Sequence, residues 1–513
     1  MAGVPGSGIS FGTADTMIVA KDSVTKGQST CGLVYQLCQI LKAEGVVYCH
    51  WKSNVALDRS ARGDADLDLL VSRASVRQFT DILYRLGFKE ARALSRQKMP
   101  GVLDYYGYDE AVDQLIHVHA HYQLILGDDM TKNYRLPIER PFLESAAQGD
   151  LFKIPAPEFE LIVFVIRMVL KHSTWDAILS GQGALPTAAR RELEYLRAQV
   201  NPGRMYDILR EHLPCIDASL FDRCLQSLQP DCLLWTRVKT GQQLQGALKA
   251  HARRSYVSDV GLKFGRRVTG LIRHRILGRR SKRRLASGGA IIALVGGDGA
   301  GKSTAVKNVY AWLSTFDTIK VHMGKPPQSL ATFAVRGISK VTSWLGILLK
   351  RNWSVQAGAE AGSSAFFKYL WLLRRVLIAR DRYRTYARAR RFATNGGLVV
   401  CDRYPVPEVK LMDGPQSDRV NKTGQTNRLV ESLIQSEKRY YQQMMPPDLL
   451  IVLRIDPEIA VQRRADEEAA FIRARCREIW EIGWGHTRAH VIDASRSIAD
   501  VLSDMKSLVW THL

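Results

Sequence analysis

The feature that most constrains this chain is eight residues long: Gly296-Gly297-Asp298-Gly299-Ala300-Gly301-Lys302-Ser303, followed by Thr304. It satisfies the pattern GxxxxGK[ST] in full, with an apolar run, Ile291 to Val295, leading in and helical spacing leading out. Glycines let successive backbone N–H groups curl around phosphate oxygens, and the helix N-terminus that follows adds its partial positive charge. Residues 296–304 are therefore expected to cradle the phosphates of a nucleotide. Lys302 would reach the β- and γ-phosphates, and Ser303 would ligate Mg²⁺.

The loop sits in a chain of 513 residues, long enough for about three domains at roughly 100–200 residues each. From residue 286 onward strands and helices alternate: AIIALVGG, KSTAVKNVYAWLSTF, IKVHMG, GLVVCDRY, DLLIVLRI and HVIDAS. Such alternation predicts an α/β domain, 286–513, with a parallel sheet covered by helices on both faces. GLVVCDRYP places Asp402 and Arg403 at the end of a buried strand, where ligands of open α/β sheets bind. An acid there suits the Mg²⁺ hydration shell, and the adjacent Arg suits an acceptor phosphate. Arg382 lies 21 residues earlier on a predicted helix, while Arg463-Arg464 and Arg473, Arg475 and Arg477 follow the strand DLLIVLRI, as a lid would.

Together, GGDGAGKST, the DRY after a strand, PPDLLIVLRIDPE, the lid arginines and the late VIDAS resemble the thymidylate kinase family. The resemblance covers about 286–513. It implies a P-loop nucleoside monophosphate kinase fold that uses ATP and Mg²⁺ to phosphorylate a nucleotide such as dTMP. It also implies that Asp298 contacts the acceptor sugar, that Arg382 and Arg403 bind the acceptor, and that Lys302, Arg403 and the lid residues Arg463 and Arg464 are catalytic. In that family a lid Arg stabilises charge when the residue after the loop Asp is not basic, and here that residue is Gly299. Two positions differ: Pro405-Val-Pro-Glu-Val-Lys-Leu-Met-Asp-Gly-Pro415 replaces the family's Ser-Ser-x-Ala-Tyr-Gln helix, and no Glu precedes the loop. The acceptor base therefore stays open.

The first half has a different character. After residues 1–30, a Gly/Ser/Thr-rich tail, the pattern predicts a mixed α/β domain over 31–150 and a helical segment over 151–250. His50-Trp51-Lys52-Ser53 precedes a strand carrying Asp66-Leu67-Asp68, and two acids at i and i+2 share one strand face, a geometry suited to Mg²⁺. This resembles the nucleotidyltransferase fold shared with polymerase β, although Lys52 takes the glycine place and the later strand offers His117 and His119 where an acid is expected. Asp113 stands just before that strand. His117, His119 and His121 alternate on one face and either join Asp66 and Asp68 on a metal or are plain strand residues.

Charge is concentrated between the halves. The net charge is +23, and residues 251–285 hold 12 Lys/Arg against one acid, Asp259. Phe264, Val268, Leu271, Ile272 and Ile276 fall on one helix face among arginines, so 251–285 is either a membrane- or nucleic-acid-binding basic helix or a solvated linker. The apolar run 364–380 fits a kinase helix with one core face. The eight scattered cysteines, the lack of a secretory pattern at the N-terminus and the lack of a long charge-free apolar run point to a cytoplasmic protein, peripheral to a membrane at most. A homodimer is an open assembly. Three functions remain from the residues: an ATP-dependent kinase; a nucleotidyltransferase acting through Asp66 and Asp68 with a nucleotide-sensing loop; and a non-catalytic ATP-binding scaffold.

Overall fold

The computed structural model describes residues 30–93, 99, 101–175, 185–272, 282–338, 360–409, 414–417, 427–464 and 468–513, with side chains from 368 onward in the helix Glu360–Thr394. Residues 1–29 of the expected tail and the basic cluster at 273–281 lie outside the described residues. Two larger sheets organise the rest. The first contains β1 (Tyr48–His50), β2 (Leu67–Val71), β3 (Lys89–Ala93), β4 (Val102–Asp109) and β5 (Gln114–His121). Two short hairpins follow, β6 (Leu124–Leu126) with β7 (Tyr134–Leu136) and β8 (Ala147–Gln148) with β9 (Lys153–Ile154). β10 (Arg283–Leu285) then completes the first sheet in the order β1-β2-β5-β4-β3-β10.

The second sheet is parallel throughout: β11 (Ile291–Gly296), β12 (Thr318–His322), β13 (Leu398–Asp402), β14 (Leu449–Arg454) and β15 (Ala489–Asp493), ordered β12-β13-β11-β14-β15. Its central strand shows why. All six residues of β11 are buried, and they alternate between two cores. Ile292 and Leu294 pack with Val306, Val309 and Met505, whereas Ile291, Ala293 and Val295 pack with Tyr386, Ala389 and Ala393. A strand that is apolar on both faces is stable only between two helical layers, and each large side chain so buried contributes roughly 1.5–3 kcal/mol. This is the α/β fold with helices on both faces expected of the second half.

In the first sheet the faces differ. Leu67, Leu69 and Val71 of β2 and Ile116, Val118 and Ala120 of β5 pack under the helices Gly32–Ala43 and Val76–Arg85. The opposite face carries Asp68 and the three histidines, with Leu70 reaching a helical core built by Pro157–His172, Thr187–Gln199 and Pro202–His212.

The stretch 251–285 is not a uniform linker. Tyr256–Leu271 is a helix, and β10 pairs antiparallel with β3, Leu285 opposite Ala91. The edge of β3 would otherwise offer unpaired backbone groups, which β10 satisfies. Three residues within a basic run carry no strand periodicity, so nothing in the sequence marked them. The halves also share a core, in which Tyr106 meets Phe316 edge-on at 5.2 Å and Trp510 Nε1 donates to the Gly87 carbonyl at 2.9 Å. The eight cysteines are unpaired.

Candidate functional site

The phosphate loop joins β11 to the helix Lys302–Trp312. Gly299 and Gly301 adopt φ of +80° and +78°, a left-handed conformation that side chains disfavour, so glycine is required at both. Lys302 is buried, and its ammonium donates to the Gly297 carbonyl at 2.5 Å. Burial lowers its pKa to about 8. Ser303 Oγ donates to Asp402 Oδ2 at 3.3 Å, across from β13, while the buried Asp402 Oδ1 has no hydrogen-bond partner. An orphaned carboxylate oxygen beside a loop serine fits a Mg²⁺ hydration shell, which Ser303 and Asp402 would hold.

Asp298 is the hub. Its buried carboxylate lies 3.9 Å from Lys302 Nζ and accepts from Arg403 at 3.2 Å and from Arg475 at 2.6 Å. Burial alone would raise its pKa, but Arg475, Lys302 and Arg403 outweigh that and hold it below the usual carboxylate range. Three cations from three elements thus converge on the loop's lip. Arg403 has φ of +59°, a conformation costing of order 1–3 kcal/mol that concentrates at functional positions. Val295, Gly296, Lys302, Arg403, Tyr404, Val406 and Val409 line a cleft beside it. Tyr404, Val406 and Val409, just after β13, therefore supply one wall.

The other expected residues are placed differently. Arg382 is buried and donates to the carbonyls of Met323 (2.7 Å) and Gly324 (3.1 Å), fixing the loop after β12, and Met323 N–H in turn bonds the Asp402 carbonyl. Arg463 donates to the Ala494 carbonyl at 3.0 Å, and Arg464 closes the helix Pro457–Arg463. Arg473 pairs bidentately with Glu458. Arg475 reaches the loop from the helix Ala469–Glu481, because Cys476 and Ile472 anchor that helix and Cys476 abuts Gly297. Helical spacing around those two apolar residues was the available signal.

The second cluster is made by register. β2 and β5 run parallel with Asp68 beside His119, and β4 and β5 run antiparallel with Asp104 beside His119 and Tyr106 beside His117. His117 bridges Asp66 (2.8 Å) and Asp104 (2.8 Å). Burial opposes its charging, but Asp104 and Asp66 outweigh burial and raise its pKa. Asp68 Oδ1 faces Lys52 Nζ (2.7 Å), His119 Nδ1 (3.0 Å) and His121 Nε2 (3.7 Å). Burial would raise the Asp68 pKa, but hydrogen bonds from both histidines and the Lys52 charge hold it well below the ordinary value. Burial lowers the pKa of His119 and, further, of His121.

A further carboxylate, Asp104, joins this cluster from the neighbouring strand, and Arg283 of β10 donates to it at 3.1 Å. Only strand pairing brings it here, so no motif showed it. Asp113 stays outside, paired with Tyr108 and Lys506. Behind the cluster, burial raises the Glu160 pKa to about 7 and lowers that of Lys132 to about 8.

No protein-family model matches the chain. It is similar to the uncharacterized ATP-binding protein YghR of Escherichia coli K12, 28% identical over 232 residues, which make up 43% of this chain and 86% of YghR. The YghR of Escherichia coli O6:H1 strain CFT073 matches to the same extent. Among solved structures, thymidylate kinase from Candida albicans aligns with 44% of this chain and 94% of its own, at 14% identity and a TM-score of 0.27. The parallel sheet and the phosphate loop define the fold of the second half.

Proposed function

We propose that this chain is an ATP-dependent phosphotransferase whose acceptor is a nucleoside monophosphate, dTMP or a related phosphate ester. One observation carries the reading: Lys302, Arg403 and Arg475 converge on Asp298 at the mouth of the phosphate loop. Phosphoryl transfer needs mainly positioning and charge neutralisation, and this constellation supplies both. The sequence resemblance to thymidylate kinases and the ATP-binding description of YghR agree with it.

In this reading the loop N–H groups and Lys302 hold the β- and γ-phosphates. Arg403, at the cleft, grips the acceptor phosphate, and Asp298 holds Arg403 and Arg475 in place until substrate arrives. Arg475 neutralises the charge that builds on the moving phosphoryl group. Ser303 and Asp402 would hold Mg²⁺, whose charge would add to the neutralisation of the phosphates. A screen of ATP consumption by the full chain across nucleoside monophosphates and nucleosides tests this. Turnover with at least one monophosphate is expected, and none with any of them would refute it.

The same protein is proposed to sit on an anionic membrane surface through Tyr256–Leu271. That helix is inside out: Asp259 and Lys263 form a buried ion pair (2.9 Å), and Arg267 reaches Asp128 (2.7 Å). Val257, Phe264, Val268 and Leu271 form an exposed apolar stripe, and Val257 is 80% exposed. An apolar stripe outward in a segment of net charge +11 suits a lipid surface better than a nucleic acid. Among the described residues no helix is long and apolar enough to cross a membrane. Phe264→Ser with Leu271→Ser should abolish flotation with phosphatidylglycerol vesicles at low salt. Flotation that never occurs in the unaltered protein would refute the surface.

A further inference from the structure

The kinase reading leaves one buried cluster unused. On the first sheet, Asp68 Oδ1, His119 Nδ1 and His121 Nε2 form a triangle with edges of 3.0, 3.3 and 3.7 Å. Asp68 and His121 are buried, and His119 is 20% exposed at its side chain. Protons alone cannot satisfy all three edges. Each histidine edge to the carboxylate needs an N–H, whereas the edge between the histidines needs one N–H and one lone pair. At most two edges are met in any tautomer, so one edge always sets like against like.

A metal ion removes the conflict, because all three atoms then present lone pairs to it. The dimensions agree. Ligands about 2.0–2.1 Å from a tetrahedral ion lie about 3.3 Å apart, near the mean of the three edges. The supports agree as well. The Trp51 and His121 rings pack in a T-shaped arrangement with centroids 4.9 Å apart, and His119 turns its Nε2 toward Asp104 Oδ1 at 3.8 Å, as metal-bound imidazoles face a carboxylate. Lys52 Nζ, 2.7 Å from the same Asp68 oxygen, keeps that carboxylate ionised, as a metal ligand must be.

The geometry points to a site for a first-row transition ion of the Zn²⁺ class, held by Asp68, His119 and His121. Two imidazoles and one carboxylate favour such an ion over Mg²⁺, which prefers six oxygen ligands. Asp66 and Asp104 are not ligands: His117 spans them, and Arg283 also neutralises Asp104. Three protein ligands leave a fourth position for water or an anionic oxygen, with Lys52 beside it. This inference does not depend on the kinase reading.

The test uses the full chain, stripped with a chelator and titrated with Zn²⁺ against a chromophoric competitor, and separately with Co²⁺. One Zn²⁺ per chain is expected, with the visible absorption of tetrahedral Co²⁺. His119→Gln and Asp68→Asn should each weaken Zn²⁺ at least tenfold, since even outer partners of such sites change affinity about 10–100-fold. His117→Gln should retain one Zn²⁺. Far-UV circular dichroism and ATP binding verify that each variant is folded. The absence of both Zn²⁺ binding and a tetrahedral Co²⁺ spectrum in the unaltered protein would overturn the site. So would Zn²⁺ bound equally well by both ligand variants.

Discussion

The two charged clusters of this protein are built in opposite ways. The loop site is contiguous: Gly296 to Ser303 supply its frame, and Asp298 sits within it. The cluster on the first sheet is assembled from β2, β4, β5 and β10, with residues as distant in sequence as Lys52 and Arg283. A contiguous site constrains its own backbone, so its glycines and lysine mark it directly. An assembled site depends on register, and a one-residue slip of β5 would turn all three histidines to the other face. The first kind can be named from a motif. The second yields its chemistry only when strand neighbours are known.

The comparison can be sharpened by substitution, beginning with the largest effect. Arg475→Ala should lower phosphotransfer kcat by about 10²–10³, the scale for losing a preorganised charge stabiliser. Arg473→Ala, which removes only an exposed pair with Glu458, should change it less than about threefold. Equal effects of the two in single-turnover assays would remove Arg475 from the site.

On the other side, Glu160 of the helix Pro157–His172 tests how far burial governs the interior behind the assembled cluster. Its folded pKa, about 7, exceeds the ordinary 4.5, so its contribution to stability is fully present below about pH 4.5 and is lost as pH rises through 7. Glu160→Gln should remove that loss, on the order of 3 kcal/mol at pH 8, in urea unfolding compared at pH 5 and pH 8. An unchanged difference between the two pH values would show that Glu160 is solvated.

Arg403→Ala should raise acceptor KM about tenfold, the scale of one charge-assisted hydrogen bond, with ATP affinity preserved. Equal loss of ATP binding would move Arg403 to the donor side. The smallest effect concerns pH. With Lys302 near 8 in the nucleotide-free chain, ATP affinity should fall as pH rises above 8, by calorimetry, and stay level from 6 to 7.5. A flat profile to pH 9 would mean that Lys302 stays charged.

Much of the second half was legible in the sequence, and for a physical reason. Its three inner strands are largely buried on both faces, so their ends coincide with changes in composition, as at Leu398–Asp402 and Leu449–Arg454. The loop and the Ser303–Asp402 pair followed from motif and strand end. The lid did not resolve by spacing, since five arginines stand in the expected places and only packing of Ile472 and Cys476 selects Arg475. In the first half, β2, β5 and the alternation of the histidines were visible. Asp104 was not, because its place depends on β4 pairing with β5, and Arg283 was not, because β10 hides within a basic run.

The most direct measurement of the central claim is transfer of labelled γ-phosphate from ATP to a monophosphate acceptor by the full chain, comparing Lys302→Ala with His119→Gln. Labelled acceptor should form in the unaltered protein and in His119→Gln, and fall by orders of magnitude in folded Lys302→Ala. Transfer that survives Lys302→Ala and disappears in His119→Gln would place the chemistry on the first sheet and contradict the account.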